Sequence, residues 1–384
     1  METTQQFKLI SIPKYYQLKQ IILQEIKDGK YSADTKLPSE IELIQKYGVS
    51  SITARRVRHE LVREGVAYSI QGKGCFVKGI NNKKNGSSEK GKQYTRRIVF
   101  IMPDASVEYS NKLIQGLLDI TQPKGYRLEI YNSDDDYTKE TKLLSKCLEE
   151  PISGLIFNPI TADGKYNHLF QLQKKGIPVI LMGNDLPNYN FDFVGIDEKK
   201  GVKKAISYLI KMGHRKIVYL GGGLHLTGIR ARFEGYILAL KKNRINPDPD
   251  LILTDNKKIY NSSEEEGYQR IKEFLKKNLK FTAVFAKDDM VAFGVLKALK
   301  EKNIKVPDDV SIIGFDDFIS QYFEVPLTTV KQEPYYRGYY TAKLLMKRIE
   351  NPDSLPSGIK GSNSSEKILL PTKLVIRDSV KKIK

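Results

Sequence analysis

The plainest pattern in the chain begins at Ile98. From there short, nearly uninterrupted apolar runs recur at 98–102, 127–131, 154–157, 179–182, 216–220, 283–286 and 310–314. Stretches with helical apolar spacing separate most of them, for example 202–212, 230–243 and 290–302. Short buried strands alternating with helices predict parallel sheets covered on both faces. About 250 residues is large for one such sheet, so the pattern predicts a two-lobed α/β domain. In open sheets of this kind ligands bind beyond the carboxyl ends of the strands, so site residues are sought there.

Before Ile98 the pattern is different. A first helix opens at Ile12-Pro13, places Tyr15, Leu18, Ile22 and Ile26 on one face, and stops at Gly29. Ser39 and Glu42 form an S-x-x-E capping box that starts a second helix, which runs to Tyr47 and turns at Gly48. A third helix over 51–64 carries Ala54, Val57 and Leu61 on one face and Ser51, Arg55 and Arg58 on another. Two short strands, 66–70 and 75–77, flank Gln71-Gly72-Lys73-Gly74, where the glycines permit positive φ and close approach to a surface. Residues 79–96 are rich in Gly, Ser, Asn and Lys and read as a flexible linker. The predicted domains are therefore 1–78, a linker at 79–96, and 97–384.

Charge sharpens this division. The chain carries a formal charge of +19 over 384 residues. The first 96 residues hold 18 Lys/Arg against 9 Asp/Glu, so the charge per residue is about three times denser there than in the rest. A basic front end suits an anionic polymer such as DNA, although a lysine-rich background accounts for part of the excess. No apolar run is long enough to span a membrane. The polar segment 1–10 lacks the apolar stretch of a secretory signal, so a cytoplasmic location is expected. The two cysteines, Cys75 and Cys147, are expected to be free thiols.

The front segment resembles the GntR-type winged helix-turn-helix. The resemblance rests on LPSEIEL at 37–43, GVSSITARRV at 48–57, the L-x-x-E-G of 61–65, and YSIQGKGCFV at 68–77. It implies a small α+β DNA-binding domain whose third helix enters the major groove. The DNA-contacting residues it implies are Lys36, Ser39, Ser50, Ser51, Thr53, Arg55 and Arg56, with the wing at Gln71, Gly72 and Lys73. Arginine there can pair bidentately with guanine, and a basic, glycine-tipped wing suits phosphates. Ile41 and Ser51 stand where the family often has arginine, so the operator sequence does not carry over.

The second segment resembles the LacI/periplasmic-binding-protein type of effector domain. The phrases that carry it are GYRLEIYNSDDD at 125–136, GLIFNP at 154–159, IPVILMGND at 177–185, the stretch 193–222, RFEGYILAL at 232–240, FAKDDMVAFGVLKALK at 285–300, VSIIGFDD at 310–317 and PLTTVKQ at 326–332. The resemblance implies a two-lobed, Rossmann-like effector domain with a small-molecule site in its cleft. Arg232 and Asp289 are implied as ligand contacts, with Asp288, Asp316, Asp104, Tyr109 and Asn184 as further candidates. Asp288 and Asp289 directly precede a helical pattern and fit helix caps equally well. Asp288 stands where the family commonly has asparagine. Gly183 stands where some relatives place an acid, which leaves the ligand's identity open.

A GntR-type head on this sensor is similar to the arabinose-responsive repressors. That implies a homodimer that binds double-stranded operator DNA and leaves it when a monosaccharide binds, L-arabinose first among the candidates. Three alternatives stay open: the same architecture answering a hexose, oligosaccharide or nucleoside, or acting as an activator; a sugar-binding receptor with no DNA role; and a sugar-modifying enzyme with a DNA-binding appendage. No enzyme activity, cofactor or metal is expected. His59, His168, His214 and His225 lack metal-ligand spacing, and no nucleophile-elbow or phosphate-loop motif occurs. Gly221-Gly222-Gly223 after a strand reads as a turn.

Overall fold

The computed structural model describes residues 8–9, 14–63, 66–70, 73–78, 96–104, 108–254, 260, 262–356 and 365–383. Two compact units emerge: 11–93, and 1–10 together with 94–384. The predicted linker lies outside the described residues except for Arg96, and so do Gln71 and Gly72 of the wing.

The chain opens with β1 (Lys8–Leu9), which belongs to the larger unit. The smaller unit holds α1 (Lys14–Lys27), α2 (Glu40–Tyr47), α3 (Ser51–Arg63), β2 (Ala67–Ile70) and β3 (Gly74–Val77). The apolar faces read from the sequence form its core. Leu18 and Ile22 of α1, Leu43 of α2, and Ala54, Val57 and Leu61 of α3 are buried with Cys75 and Val77 of β3. Both halves of the capping box are made at Ser39 and Glu42, and Gly48 takes φ 61° as the left-handed stop of α2. β2 and β3 pair antiparallel, with Ile70 opposite Gly74.

The larger unit has two lobes. The first contains β4 (Arg97–Met102), α4 (Glu108–Thr121), β5 (Arg127–Asn132), α5 (Tyr137–Glu149), β6 (Gly154–Phe157), α6 (Asn167–Lys174), β7 (Val179–Met182) and β8 (Asp192–Ile196). The chain then builds the second lobe: α7 (Glu198–Lys211), β9 (Ile217–Leu220), α8 (Thr227–Lys242), β10 (Ile252–Leu253), α9 (Ser263–Leu275), β11 (Ala283–Ala286), α10 (Asp289–Glu301), β12 (Ser311–Asp316) and β13 (Thr328–Lys331). It returns to the first lobe with α11 (Pro334–Glu350) and β14 (Lys367–Leu370), and ends in the second with β15 (Lys373–Val375).

Among the described residues the first sheet runs β1-β14-β8-β7-β6-β4-β5 and the second β10-β9-β11-β12-β13-β15. All pairings are parallel except β13 with β15. The central strands β6, β7, β9 and β11 are buried at every position, which is why they read as continuous apolar runs. The chain crosses between lobes near Asp197, Gln332 and Thr372. There Asp197 N–H donates to Leu370 O at 2.8 Å, and Thr372 Oγ1 donates to Asp197 O at 3.3 Å.

Six strands add to the seven expected from Ile98 onward or lie before them: β1, β8, β10, β13, β14 and β15. The sequence does not announce β8 and β13 because they include buried polar residues. Asp192 is held by Arg348, and Thr328 and Thr329 hydrogen-bond to Arg377 O and Asp289. Both thiols are free and buried, and burial pushes the Cys147 thiol up to about 12. No described helix is long and apolar enough to cross a membrane.

Candidate functional site

On the head, α2, the turn and α3 present one polar face. Ser50 starts α3 by accepting from Thr53 N–H at 3.2 Å, and its hydroxyl meets Thr53 Oγ1 at 2.9 Å. Because Ala54, Val57 and Leu61 face inward, the helical period puts Ser51, Ile52, Arg55 and Arg56 in solvent. The Arg55 side chain is 74% exposed, with Nε 3.5 Å from Glu40 Oε2. Arg58 lies 3.8 Å from the same carboxylate and is half-buried. The Arg56 guanidinium sits 4.0 Å over the Tyr15 ring.

Lys36 and Lys73 are both exposed. The Lys36 side chain passes so close to Gly74, φ 123°, that a Cβ there would stand 2.8 Å from its Cε. Glycine thus leaves room for a second lysine at the turn end of the hairpin, where Gly74 pairs with Ile70. Ser39 is committed to its cap, with Glu42 N–H donating to Ser39 Oγ at 3.2 Å. The exposed Ile41 and Ile52 give this face apolar as well as cationic character.

In the sensor, the seven candidate residues fall around the cleft edges of the two lobes but not in one cluster. Arg232, on α8, sits across Glu198 at the start of α7: Nε donates to Oε2 at 2.7 Å and Nη2 to Oε1 at 3.3 Å. Its Nη1 donates to Lys287 O, and its guanidinium stacks 3.6 Å from the Phe315 centroid. Nη2 lies 4.0 Å from Asp316 Oδ1. Burial alone would lower the Arg232 pKa, but Glu198 and Asp316 hold it above its ordinary value.

Asp289 is 3% exposed and already engaged: Thr329 Oγ1 donates to Oδ1 at 2.6 Å, and Asp317 N–H to Oδ2 at 2.8 Å. Gly314 makes room for it, since a Cβ there would fall 2.3 Å from Oδ1. Burial pushes the Asp289 carboxyl up to about 7. Asp288 caps α10, accepting from Val291 N–H at 2.7 Å, so the capping reading describes its contact here. Asp316 and Asp288 are also raised, in each case mainly by burial.

The lobes meet through named bonds. Tyr109, in the first turn of α4, donates to Gln332 Oε1 at 3.2 Å and packs edge-on against Phe318, 5.0 Å between centroids. Gln332 Nε2 donates to Asp316 Oδ1. A chain Tyr109–Gln332–Asp316–Arg232 therefore runs from one lobe to the other. At the other edge, Asn184 Oδ1 accepts from Gly228 N–H at 3.4 Å, and Asp185 N–H donates to Thr227 Oγ1 at 2.8 Å. Asp104, just past β4, is exposed.

Sequence reasoning missed Glu198, Gln332, Phe315 and Arg337. The signal for Arg337 was present: it shares a helical stripe with Thr341 and Leu345, a charge on an otherwise buried face. Glu198 and Gln332 carry no such mark in a single sequence. The turn expected at Gly221-Gly222-Gly223 falls just after them, at Leu224-His225, and the Gly221 carbonyl accepts from Arg270. His214 bonds Thr282 Oγ1 at 3.0 Å and Lys381 O at 3.1 Å, a structural role. No cluster suited to a metal occurs among the described residues.

Comparison with known proteins agrees with this division. Residues 14–77 match the model of the bacterial regulatory proteins of the gntR family, and 206–380 that of the periplasmic binding protein-like domain. The arabinose metabolism transcriptional repressor of Halalkalibacterium halodurans is 29% identical over 97% of each chain. The HTH-type transcriptional regulator DegA of Bacillus subtilis is 30% identical over 75% of this chain and 82% of its own. A LacI family regulator from Enterococcus faecium, solved with bound ribose, superposes with a TM-score of 0.63 at 27% identity, covering 75% of this chain and all of that one. These relatives are DNA-binding regulators and not enzymes. The chain belongs to the family of bacterial transcriptional regulators, as a member that joins a gntR-type winged helix-turn-helix to a periplasmic-binding-protein-like effector domain.

Proposed function

We propose that this regulator represses sugar-utilisation genes and leaves its operator when a monosaccharide enters the cleft, with L-arabinose the first ligand to test. The observation that carries the reading is the polar chain Tyr109–Gln332–Asp316–Arg232, which links the two lobes through groups able to bind hydroxyls. A ligand that replaces these bonds has different affinities for open and closed lobes, and only such a difference can shift the equilibrium. The names of the arabinose repressors and the ribose bound to the Enterococcus faecium regulator support a sugar of this size.

On the head, Ser50, Ser51, Thr53, Arg55, Arg56, Lys36, Ser39 and the wing around Lys73 are the proposed DNA contacts. Two heads reading two half-sites require a homodimer. The surface we assign to it is a groove of about 410 Å³ where Phe293, Leu296, Ile304 and Phe323 alternate with charged residues such as Lys297, Lys300 and Glu324. A protein acting on bacterial DNA works in the cytoplasm.

Fluorescence anisotropy with promoter DNA, titrated with pentoses and hexoses, tests the reading. Release by at least one sugar at sub-millimolar concentration is expected. Duplex binding that no carbohydrate changes overturns the sugar part, and absence of duplex binding overturns the whole.

A further inference from the structure

Arg337 is 7% exposed and its Nε has no hydrogen-bond partner. The other buried arginines in this domain are answered by acids: Arg232 by Glu198, Arg270 by Glu266 and Arg348 by Asp192. No carboxylate forms an ion pair with Arg337 among the described residues. Its guanidinium lies 4.8 Å from the centroid of the Tyr109 ring. Burial pushes the Arg337 pKa down to about 10, so the group stays charged at neutral pH.

Its position in the fold gives this isolated charge a direction. α11 runs antiparallel to the strands it covers, and Arg337, Thr341, Leu345 and Arg348 lie on its buried stripe. Arg348 grips Asp192 at the first residue of β8, with Nε 2.7 Å and Nη2 2.8 Å from its carboxylate oxygens. Arg337 is three turns earlier, which sets it at the carboxyl ends of these strands, on the cleft side. It stands in the first turn of a long helix, where the backbone dipole also favours negative charge. Tyr109 connects it to Gln332 and so to the polar chain of the cleft. A buried, unpaired guanidinium is costly to keep, and a site that receives an anion supplies the missing partner.

We propose that the effector carries an anionic group, phosphate or carboxylate, on a monosaccharide-sized polyol, and that Arg337 binds that group from the first lobe while the second lobe takes the hydroxyls. The assignment rests on the carbohydrate reading of the cleft and moves it from a neutral pentose to a sugar phosphate or sugar acid. The planar fork of arginine matches either oxyanion bidentately.

The test uses the full-length protein in calorimetric titration and thermal shift with matched probes: L-arabinose, D-ribose and D-glucose against ribose 5-phosphate, glucose 6-phosphate, glucuronate and galacturonate, with inorganic phosphate alone as a further arm. At least one anionic probe is expected to bind far more tightly than its neutral parent, and the phosphate and carboxylate arms separate the two sources. Arg337→Met should weaken that probe about 100-fold. Arg337→Lys should recover part of the loss, and the unliganded Met variant should melt no lower than the natural protein. Neutral sugars binding while every anionic probe fails overturns this inference and leaves the sugar-responsive repressor intact. Anion binding undiminished in Arg337→Met overturns it as well. Inorganic phosphate binding through Arg337 with no carbohydrate binding keeps the anion assignment and overturns the sugar reading, and binding of no anion at all overturns the assignment.

Discussion

Arg55 and Arg232 are both cations placed beside a glutamate, yet they are held in opposite ways. Arg55 leaves most of its side chain in solvent and shares Glu40 with Arg58 at 3.5 and 3.8 Å. Arg232 is buried, forked across Glu198, bonded to a backbone carbonyl and stacked on Phe315. The head keeps its charges loose, so that a polyanion can take them over at little cost in the free protein. The sensor keeps its polar groups satisfied in advance, so that a ligand must exchange one set of partners for another. On the proposed function, the first arrangement suits affinity for a charged surface and the second suits discrimination. Arg337 belongs to neither pattern, because it is buried like Arg232 but unanswered by an acid among the described residues.

Three measurements sharpen or break this contrast. The largest effect belongs to Arg232→Ala, which leaves Glu198 buried without its cation. Chemical denaturation should show a loss of about 3–5 kcal/mol in the sensor domain. A loss below 1 kcal/mol would mean that the pair is not pre-organised in solution.

The next effect is a pH dependence. The folded Asp289 carboxyl titrates near 7 against an ordinary 3.8. Between these values the folded state holds a proton that the unfolded chain has lost, so stability falls as pH rises, by about 1.4 kcal/mol per unit from this group. Below pH 3.8 its contribution is fully present, and above 7 it is gone. Asp289→Asn should flatten this slope between pH 5 and 7 relative to the natural protein. Parallel stability curves for the two would refute it.

The smallest change in the free protein is expected from Arg55→Ala. Its melting temperature should be indistinguishable from that of the natural chain, because an exposed ion pair contributes little. Operator affinity should nevertheless fall about tenfold, and equal binding by both proteins would remove Arg55 from the interface.

Much of this protein can be read without coordinates. The capping box at Ser39 and Glu42, the buried face of α3 and the wing glycine at Gly74 follow from local rules of capping, helical period and positive φ. Fully buried strands such as β6 and β11 announce themselves as apolar runs. β8 and β13, which bury Asp192, Thr328 and Thr329, did not. Thr328 and Thr329 of β13 are buried because Arg377 and Asp289 bond them, partners 49 and 40 residues away.

The site divides along the same line. The sequence by itself determined which helix of the head faces outward and that strand ends in the sensor carry acids and an arginine. Only the tertiary structure decided what each of those groups has as a partner: that Glu198 answers Arg232, that Asp289 is already spent on Thr329 and Asp317, and that Arg337 meets no acid among the described residues. Capping and periodicity are set within a few residues of chain. The electrostatic state of a buried group is set by whatever the fold brings within a few ångströms, from anywhere along its length.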